Sequence, residues 1–596
     1  MGGGGKTTLA RAVFDKISFQ FEEKSFVADV REVSNASLSG LHLLQKQVLS
    51  DILNDQNIKI SNVFEGKNMM RGKMPSRKVL IVLDDVDHMD QLEALAGDWF
   101  KPGSIIFITT RDEQLLVAHK VKLVRNVNLL SDDEAICLFS KYAFGKEIPN
   151  QGYEELSGQI VRYAAGLPLT ITVLGSFLCG KNEPEWIDAL ERLKTIPLME
   201  TLKKLELSYI GLEQDYKEIF LDVACILKGE RKDHVIEVLE SCGFHARNGL
   251  RVLEQKSLIN FYYFHDDECV GMHDHIEEMG RHIVRGSHPD MPHKHSRLWI
   301  ENEIKDILVN DLGTEATRCL RFHTSRLDAE TVMKGLQKMT KLRFLDVSLS
   351  RSDSTKTLCF WWKMKFDKVR PYFPDALRYL SWDNYPFRSL PKAFKATHLV
   401  TLKMTSTRWE GRERMVFNKL KHLQLYDSYL RTLDLGLTPN LETMKLVGEV
   451  HLVKLDIQVE CPNLRSLDLS FSKLRTFDLG LTPNLEELTL GRRDNNYVEL
   501  HMSTICLNLR SLVLYRIESR TFDLGLIPNL TSLTLEHSKF IRTLDIGLTP
   551  NLEVLCVFSC HDLEELKMAN ESVKLKRLVL MVFKSEDPRP WSLSKS

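Results

Sequence analysis

The sequence predicts a multidomain chain of the mixed α/β class that ends in a repeat solenoid. Three observations support this prediction. A glycine-rich loop is followed by strand-like segments that end in polar residues, and the middle of the chain has helical periodicity. After about residue 340, a leucine-containing unit recurs with a period of roughly 22 residues. A chain of 596 residues has room for about four domains.

The glycine-rich loop is the stretch GGGGKTT, from Gly2 to Thr8. Gly5, Lys6 and Thr7 fit the end of the pattern G-x-x-x-x-G-K-[ST], in which backbone N–H groups and the Lys hold nucleotide phosphates and a hydroxyl binds Mg²⁺. Apolar residues at helical spacing follow the loop: Leu9, Val13 and Ile17. The strand that normally precedes such a loop is missing from the sequence. We therefore expect unpaired backbone groups and a gap in the sheet under the loop.

Two strand-like segments supply polar groups for the same site. The run from Lys78 to Asp85 is unbroken and apolar before it ends in two carboxylates, which is typical of a buried parallel strand whose C-terminal end meets a ligand. Asp84 is therefore predicted to hold Mg²⁺, directly or through water. The β-branched segment from Ser104 to Arg111 ends in hydroxyls and a guanidinium that is suited to a terminal phosphate.

The periodicity divides the chain into six segments. Residues 1–127 alternate helical and strand-like patterns, and residues 128–200 are helical with a turn at Gly166 to Leu169. Residues 201–300 contain the apolar stretch Ile219 to Cys225, which we expect to be the central helix of a third small domain. A linker and repeat cap at 301–340, repeats at 341–582 and a polar tail at 583–596 complete the prediction.

Near copies of one unit identify the repeats: Leu430 to Leu446, Leu474 to Leu490, Ser519 to Leu535 and Ile541 to Val557. Their period is in the leucine-rich-repeat range. Each L-x-L is predicted to be a short strand on a concave face. Since each unit buries its apolar edge only against its neighbours, the array should form a curved solenoid with an extended surface. We expect that surface to bind a ligand, and an intramolecular lid is the alternative.

Composition limits the partners and the compartment. The formal net charge of −1 predicts no nucleic-acid partner. The aromatic and basic stretch Phe360 to Arg370 could stack on nucleic acid, but an irregular repeat is favoured because no charge excess accompanies it. Eleven Cys residues without C-x-x-C pairs indicate a reduced, intracellular protein. No signal peptide or membrane span is predicted, so we expect a cytoplasmic protein, with the nucleus as an alternative.

Taken together, these motifs resemble those of plant intracellular immune receptors of the nucleotide-binding (NB-ARC), leucine-rich-repeat family. They are, in the order typical of that family, GGGGKTTLAR at Gly2 to Arg11, VLIVLDDVD at Val79 to Asp87, FITTRD at Phe107 to Asp112, GLPL at Gly166 to Leu169, IFLDVAC at Ile219 to Cys225 and MHD at Met272 to Asp274. Asp87 and the IFLDVAC motif resemble the corresponding motifs of the subclass that has an N-terminal Toll/interleukin-1 receptor domain. No part of this sequence resembles that domain or its NADase activity.

The resemblance implies a P-loop NTPase-like α/β domain, a helical domain, a winged-helix domain and a leucine-rich-repeat solenoid. It also implies a regulatory ADP/ATP switch with slow ATP hydrolysis rather than a turnover enzyme. The implied phosphate and Mg²⁺ ligands are Gly3, Gly5, Lys6, Thr7, Thr8 and Asp84. Asp85 would orient water and Arg111 would contact the γ-phosphate. Pro168 would pack on the adenine, and His273 would contact the ADP β-phosphate.

The partners implied by the resemblance are a pathogen effector or a guarded host protein, bound by the repeats, and further copies of the chain on activation. Two alternatives stay open at this point. The chain could be a truncated non-signalling fragment or a passive leucine-rich-repeat interaction module. It could also be a P-loop ATPase of another function.

Overall fold

In a computed structural model, the described residues form two compact units. One comprises Met1–Ile236 and Phe244–Val284, and the other comprises Glu237–Gly243 and Arg285–Ser596. The structure describes every residue except 37–39, 194–198, 266, 287, 324–328, 349–371, 386, 388–389, 392–393, 406–415, 429, 449–451, 453, 457–460, 493–495, 520–521, 569–573, 582–591 and 596. The stretch Phe360 to Arg370, considered above for nucleic-acid binding, lies outside the described residues.

The first unit opens with an α/β region around a three-stranded parallel sheet in the order β1-β2-β3. Its strands are β1 (Glu23–Val27), β2 (Val79–Val86) and β3 (Ile105–Thr110). Its helices are α1 (Lys6–Ile17), α2 (Val30–Ala36), α3 (Gly40–Leu53), α4 (Val63–Lys73), α5 (Met89–Leu95) and α6 (Glu113–Ala118). Strand β2 is central and its residues Val79 to Leu83 are fully buried, as its unbroken apolar run predicts.

The expected gap does not lie between the strands of this sheet, in which β3 is an edge strand with no further strand beside it among the described residues. Strand β2 pairs with β1 along one edge and directly with β3 along the other, from Leu80 opposite Ile105 to Leu83 opposite Ile108. The backbone of β2 is therefore hydrogen-bonded on both sides. The register then shifts between Leu83 and Val86. Such an irregularity re-aims side chains at a strand end, and here it falls on the two carboxylates.

A helical region follows, with α7 (Asp132–Phe144), α8 (Glu154–Ala164), α9 (Pro168–Leu178) and α10 (Glu183–Leu193). Ser131 and Glu134 form a capping box that begins α7. The core of this region includes Phe139 and Trp186, which meet edge to face with ring centroids 5.7 Å apart. Pro168 occupies the first turn of α9, where its missing N–H has no intrahelical partner to lose.

The third region contains α11 (Met199–Ile210), α12 (Gln214–Asp222), α13 (Lys232–Ser241), α14 (Ala246–Gln255), the antiparallel strands β4 (Asn260–Phe264) and β5 (Asp267–Gly271), and α15 (Asp274–Arg285). Helices joined to a two-stranded hairpin are the elements of a winged helix. The predicted central helix at Ile219 to Cys225 is found and is buried. It changes at Val223 to a π-helical turn, which the sequence pattern did not indicate.

The second unit is built on a 13-stranded parallel sheet, accompanied by α16 (Glu301–Val309) and α17 (Ala329–Leu336). In chain order the strands of this sheet and of three small outer sheets are β6 (Arg297–Leu298), β7 (Cys319–His323), β8 (Phe344–Ser348), β9 (Tyr379–Asp383), β10 (Thr401–Thr405), β11 (His422–Tyr426), β12 (Thr432–Asp434), β13 (Thr443–Val447), β14 (Lys454–Asp456), β15 (Ser466–Ser472), β16 (Thr476–Asp478), β17 (Glu487–Arg492), β18 (Val498–His501), β19 (Ser511–Tyr515), β20 (Ile517–Glu518), β21 (Ser532–Glu536), β22 (Thr543–Asp545), β23 (Val554–Phe558), β24 (Glu565–Met568), β25 (Arg577–Met581) and β26 (Ser592–Lys595). The outer sheets are β12-β14, β16-β18-β20 and β22-β24-β26.

The predicted fold class is confirmed by this architecture. The L-x-L leucines of successive repeats point into one continuous core, for example Leu423 and Leu425 of β11. Strand β7 extends the repeat sheet into the region predicted as a linker and repeat cap, and β6 extends it into the end of the segment predicted at 201–300. The segment predicted as a polar tail contains β26, which pairs with β24.

The repeats share two backbone devices. In the four near copies, an Asp caps a short 3₁₀ helix by accepting a hydrogen bond from the Gly two residues later, at Asp434, Asp478, Asp523 and Asp545. A left-handed residue also follows several main-sheet strands, as at Asp427 with φ 50° and Arg516 with φ 54°. The N–H of each donates to a carbonyl of the next repeat, and Asp427 does so to Val447 over 3.0 Å. The chain therefore leaves these strands at a sharp, repeated corner.

Candidate functional site

The glycine loop and helix α1 form the centre of the site. Gly3 and Gly5 have φ angles of 73° and 82°, which residues with a side chain rarely adopt. Gly5 caps α1 and has no side chain to satisfy the N–H groups of the first turn. Those groups are suited to an anion, which the helix dipole also favours. Thr8 lies exposed on this first turn.

Lys6 is held close to the same loop. Its Nζ donates to the backbone carbonyl of Met1. Burial, followed by the positive charge of Arg111, lowers the pKa of the Lys6 ammonium. Two cations held near each other in a partly buried place attract an anion strongly, since a phosphate relieves their mutual repulsion.

The GLPL segment packs directly on the loop. The N–H of Leu169 donates to the carbonyl of Gly3 over 3.2 Å. A Cβ placed on Gly3 would lie 2.8 Å from Cβ of Leu169, so only glycine fits this approach. At Gly5 a Cβ would lie 3.7 Å from Cγ of Pro168. The ring predicted to contact the adenine therefore lies beside the phosphate loop.

Asp84 connects the loop to the end of β3. Its carboxylate accepts hydrogen bonds from the Thr7 hydroxyl over 2.9 Å and from the Thr109 hydroxyl over 2.6 Å. The residue is only 1% exposed. A buried carboxylate beside a hydroxyl offers the hard oxygen donors that Mg²⁺ prefers, so Thr7 and Asp84 fit the predicted metal site. The described residues contain no group of three or more His, Cys, Asp or Glu that could hold a metal ion.

Asp85 is held between two guanidinium groups. Arg31 Nη2 lies 2.7 Å from one carboxylate oxygen, and Arg111 Nε lies 3.0 Å from the other. Asp85 has a φ of 57°, and its N–H donates to the Thr109 hydroxyl over 2.9 Å. Arg111 also donates to the carbonyl of Lys204 over 2.9 Å. Burial is the main cause that lowers the pKa of the Arg111 guanidinium. The cation predicted for the γ-phosphate is therefore paired with the predicted water-orienting carboxylate.

Both nitrogens of His273 bond to the protein. Nδ1 accepts from the N–H of His275 over 3.2 Å, so Nε2 carries the proton and donates to the carbonyl of Ala165 over 3.2 Å. Burial is the main cause that lowers the pKa of the imidazole. The ring is therefore a neutral link between the MHD segment and the residue just before GLPL. Its predicted contact with a β-phosphate stays a prediction.

Asp274, the last residue of MHD, pairs with Lys228 over 2.8 Å. Burial alone would raise the pKa of the Asp274 carboxyl, but the hydrogen bond and charge of Lys228 outweigh burial and lower it. Lys228 also contacts Glu277. The MHD segment is thus tied to the end of the π-helical turn by a shared ammonium.

The structure brings most of the predicted site residues together and adds two. The glycine loop lies close to the carboxylates of Asp84 and Asp85, to Arg111 and to Pro168. His273 instead forms its hydrogen bond to Ala165 and not to the loop. The additional residues are Arg31 and Thr109. Arg31 follows the carboxyl end of β1, which parallel topology places at the same sheet edge as Asp85. That signal was present in the sequence stretch Ser25 to Arg31.

Two family models match the chain. The NB-ARC domain matches residues 1–148. The winged-helix domain of Roq1-like disease resistance proteins matches residues 213–288. The chain belongs to the NB-ARC family of plant disease resistance proteins. The resemblance drawn from the motifs is thereby confirmed, and the loop described above is part of the nucleotide-binding module of that family.

Curated relatives agree with this family. The chain is 36% identical over 476 residues to TMV resistance protein N of Nicotiana glutinosa, covering 78% of this chain and 38% of that protein. It is also 36% identical to disease resistance proteins RPV1 and RUN1 of Vitis rotundifolia, over 492 and 490 residues. Each match covers 78% of this chain, with 34% of RPV1 and 36% of RUN1. The chain thus spans little more than a third of the length of these relatives.

The NB-ARC match ends later than the predicted boundary at 127 and takes in α7. None of the helices in the described part of the chain combines the length and apolar character needed to traverse a lipid bilayer.

Proposed function

We propose that the chain is the ADP/ATP-binding switch of an intracellular plant immune receptor. The observation that carries the proposal is the pair of adjacent carboxylates at the end of β2. Asp84 is bonded to the loop hydroxyl of Thr7, and Asp85 is bonded to Arg111. A nucleotide on the loop would contact Thr7 and Arg111, the partners of these carboxylates. A γ-phosphate can therefore change the pairing of Asp84 and Asp85 with these partners.

In the proposed site, the first-turn N–H groups of α1 and Lys6 bind the phosphates. Thr7 and Asp84 hold Mg²⁺, which neutralises phosphate charge when it is bound with the nucleotide. Pro168 packs on the base. These roles are supported by the hydrogen bond from Thr7 to Asp84 and by the approach of Pro168 to Gly5.

Arg111 distinguishes the two nucleotides in this proposal. With ADP, it keeps its ion pair with Asp85. With ATP, the γ-phosphate competes for its guanidinium, because phosphate is a stronger partner than a singly charged carboxylate. Arg111 also holds Lys204 of α11, so its movement would reach the third region. Asp85, released by Arg111 and still paired with Arg31, can orient a water for slow hydrolysis. In the ADP state His273 links MHD to Ala165, the residue before GLPL.

The repeats bind a pathogen effector or a guarded host protein in the proposed function, and further copies of the chain associate on activation. We place the protein in the cytoplasm. The relatives are named resistance proteins, which supports a role in defence.

The test measures the nucleotide that is retained when the chain is purified from the cell. The denatured protein is analysed by anion-exchange chromatography, and phosphate release is followed in parallel. Retained ADP with slow release supports the switch. An empty site indicates a passive repeat module, and fast release indicates an ATPase of another function, so either result would overturn the proposal. Lys6→Ala should lose the nucleotide, whereas Lys16→Ala, an exposed change on the same helix, should keep it.

A further inference from the structure

A pocket on the repeat sheet combines apolar rings with a carboxylate. It has a volume of about 340 Å³ and is lined by Tyr426, Asp427, Val447, Gly448 and Phe471. We call it the aromatic pocket. It lies where β11, β13 and β15 end, in the corner that each repeat makes after its strand. Tyr426 and Val447 are opposite each other in the register of β11 and β13.

Phe471 is held in an unusual conformation at this pocket. Its φ is 61°, in the left-handed region that bulky side chains rarely adopt. The side chain is nevertheless 42% exposed, so burial of the ring does not account for the strained backbone. The same left-handed conformation occurs at the corner residues Asp427 and Arg516, so the geometry of the repeat imposes it on Phe471. The corner therefore presents an aromatic ring to the solvent at an energetic cost.

A second ring extends the apolar surface. Tyr515 stacks on Phe471, with ring centroids 6.2 Å apart and planes inclined by 26°. Gly491 makes room for this stack, since a Cβ at Gly491 would lie 2.5 Å from Cβ of Tyr515. The rings of Tyr426, Phe471 and Tyr515 thus belong to one partly exposed aromatic surface.

The charge around these rings is negative. Asp427 is exposed, and its carboxylate lies over Gly448, where an added Cβ would come within 2.4 Å of Oδ1. Burial, followed by the charges of Asp468 and Glu237, raises the pKa of the Tyr426 phenol. Burial, followed by Glu536 and Asp468, raises the pKa of the Tyr515 phenol. Lys445 lies opposite Asp468 in the strand register and does not line the pocket.

We propose that the aromatic pocket binds an arginine side chain of a protein partner. A guanidinium can stack flat on the aromatic rings while it forms two hydrogen bonds to the carboxylate of Asp427. An apolar side chain would fill the same space but would desolvate that carboxylate without pairing it. An anionic group would be repelled.

This inference rests on the proposed role of the repeats in binding a partner, and it adds the chemistry of the contact. The two can fail separately. Retained ADP reports on the loop, whereas the experiment below reports only on the aromatic pocket and uses no nucleotide.

The experiment uses the full chain labelled with 3-fluorotyrosine, with the Tyr515 resonance assigned through Tyr515→Phe. The probes are N-acetyl-arginine amide, its neutral isostere N-acetyl-citrulline amide, and N-acetyl-lysine amide. We expect the arginine probe to shift the ¹⁹F resonance of Tyr515 saturably, and to bind at least fivefold more tightly than citrulline. We expect it also to bind more tightly than lysine. Equal affinity for citrulline, or tighter binding of lysine, would overturn the proposal.

Three variants locate the binding. Phe471→Leu keeps an apolar side chain but removes the aromatic face. It should weaken the binding of the arginine probe at least threefold. Asp427→Asn, an exposed change that preserves folding, should weaken it by a similar factor. Phe540→Ala is the matched control, because Phe540 is also exposed and left-handed, with φ 63°, but does not line the pocket. Unchanged affinity in both Phe471→Leu and Asp427→Asn would refute the assignment, as would an equal loss in Phe540→Ala.

Discussion

The hydroxyl of Thr7 donates to the carboxylate of Asp84 over 2.9 Å, although 77 positions separate the two residues. Thr7 lies in the first turn of α1, and Asp84 lies near the end of β2. Their contact joins the loop proposed to bind phosphate to the carboxylate proposed to hold Mg²⁺. The same oxygen atoms can therefore serve the protein alone or a bound metal.

Replacing Thr7 should separate the contribution of Mg²⁺ to nucleotide affinity from the contribution of the phosphate contacts. We expect Thr7→Ala to weaken ADP binding about tenfold in the presence of Mg²⁺, a change of about 1.4 kcal/mol. With EDTA in place of Mg²⁺, the variant and the wild type should bind alike. Isothermal titration calorimetry in the two buffers measures both values. Thr7→Ser, which keeps the hydroxyl, is the control, and a Thr7→Ala loss that is equally large in EDTA would contradict the metal role.

Arg31 should influence the preference between nucleotides. Without Arg31, Asp85 is left with Arg111 alone and retains it more strongly, so Arg111 is less available to a γ-phosphate. We expect Arg31→Ala to weaken the binding of a slowly hydrolysed ATP analogue about threefold while ADP affinity is unchanged, which corresponds to about 0.6 kcal/mol. Competition binding measures the ratio of the two affinities.

The control for Arg31 is Arg77. Arg77 pairs with Glu23 at the end of the sheet where β1 and β2 begin. Arg77→Ala removes a partly exposed ion pair of the same kind from the opposite edge of the sheet. It should leave the nucleotide preference unchanged. A change of equal size in both variants would mean that the effect comes from sheet stability rather than from Asp85.

The stability of the protein should fall in mild acid because of His273. Burial lowers the pKa of its imidazole in the folded state below the unfolded value of 6.5, so the unfolded state binds the proton more readily. The folded state has its full stability above pH 6.5, where His273 is neutral in both states. It loses stability as the pH falls from 6.5 through the folded pKa of His273. The slope for one proton is at most about 1.4 kcal/mol per pH unit.

Melting temperatures between pH 5 and pH 7.5 measure this slope. His273→Asn should reduce the slope, since no imidazole is then buried in its neutral form. His398→Asn changes an exposed histidine of the repeats and should leave the slope as it is. If His273→Asn melts with the pH dependence of the wild type, the histidine does not account for it.

The Asp caps of the repeats should contribute to stability one by one. Asp523 accepts a hydrogen bond from the N–H of Gly525 over 2.8 Å and begins the short helix Leu524–Leu526. Loss of such a cap costs about 1 kcal/mol, so Asp523→Ala should lower the free energy of unfolding by about that amount. Asp523→Asn keeps an acceptor and should change it much less. Urea denaturation of both variants compares them, and equal losses would show that charge, not capping, is what matters.

The sequence by itself determined the features that depend on residues close together in the chain. The spacing of leucines predicted the solenoid, because a period of roughly 22 residues requires each unit to bury its apolar edge against the next. The apolar run before Asp84 predicted the buried central strand, and the glycines before Lys6 predicted a loop that leads into a helix. In each of these cases the physical cause is local.

Tertiary structure decided the contacts between distant parts of the chain. The direct pairing of β2 with β3 depends on two strands from distant parts of the sequence meeting along their edges. The position of Arg31 on Asp85 depends on β1 lying beside β2 in parallel. The aromatic pocket arises because Tyr426, Val447 and Phe471 come from successive repeats that pack side by side. Such neighbours are set by packing in three dimensions, which no single stretch of sequence specifies.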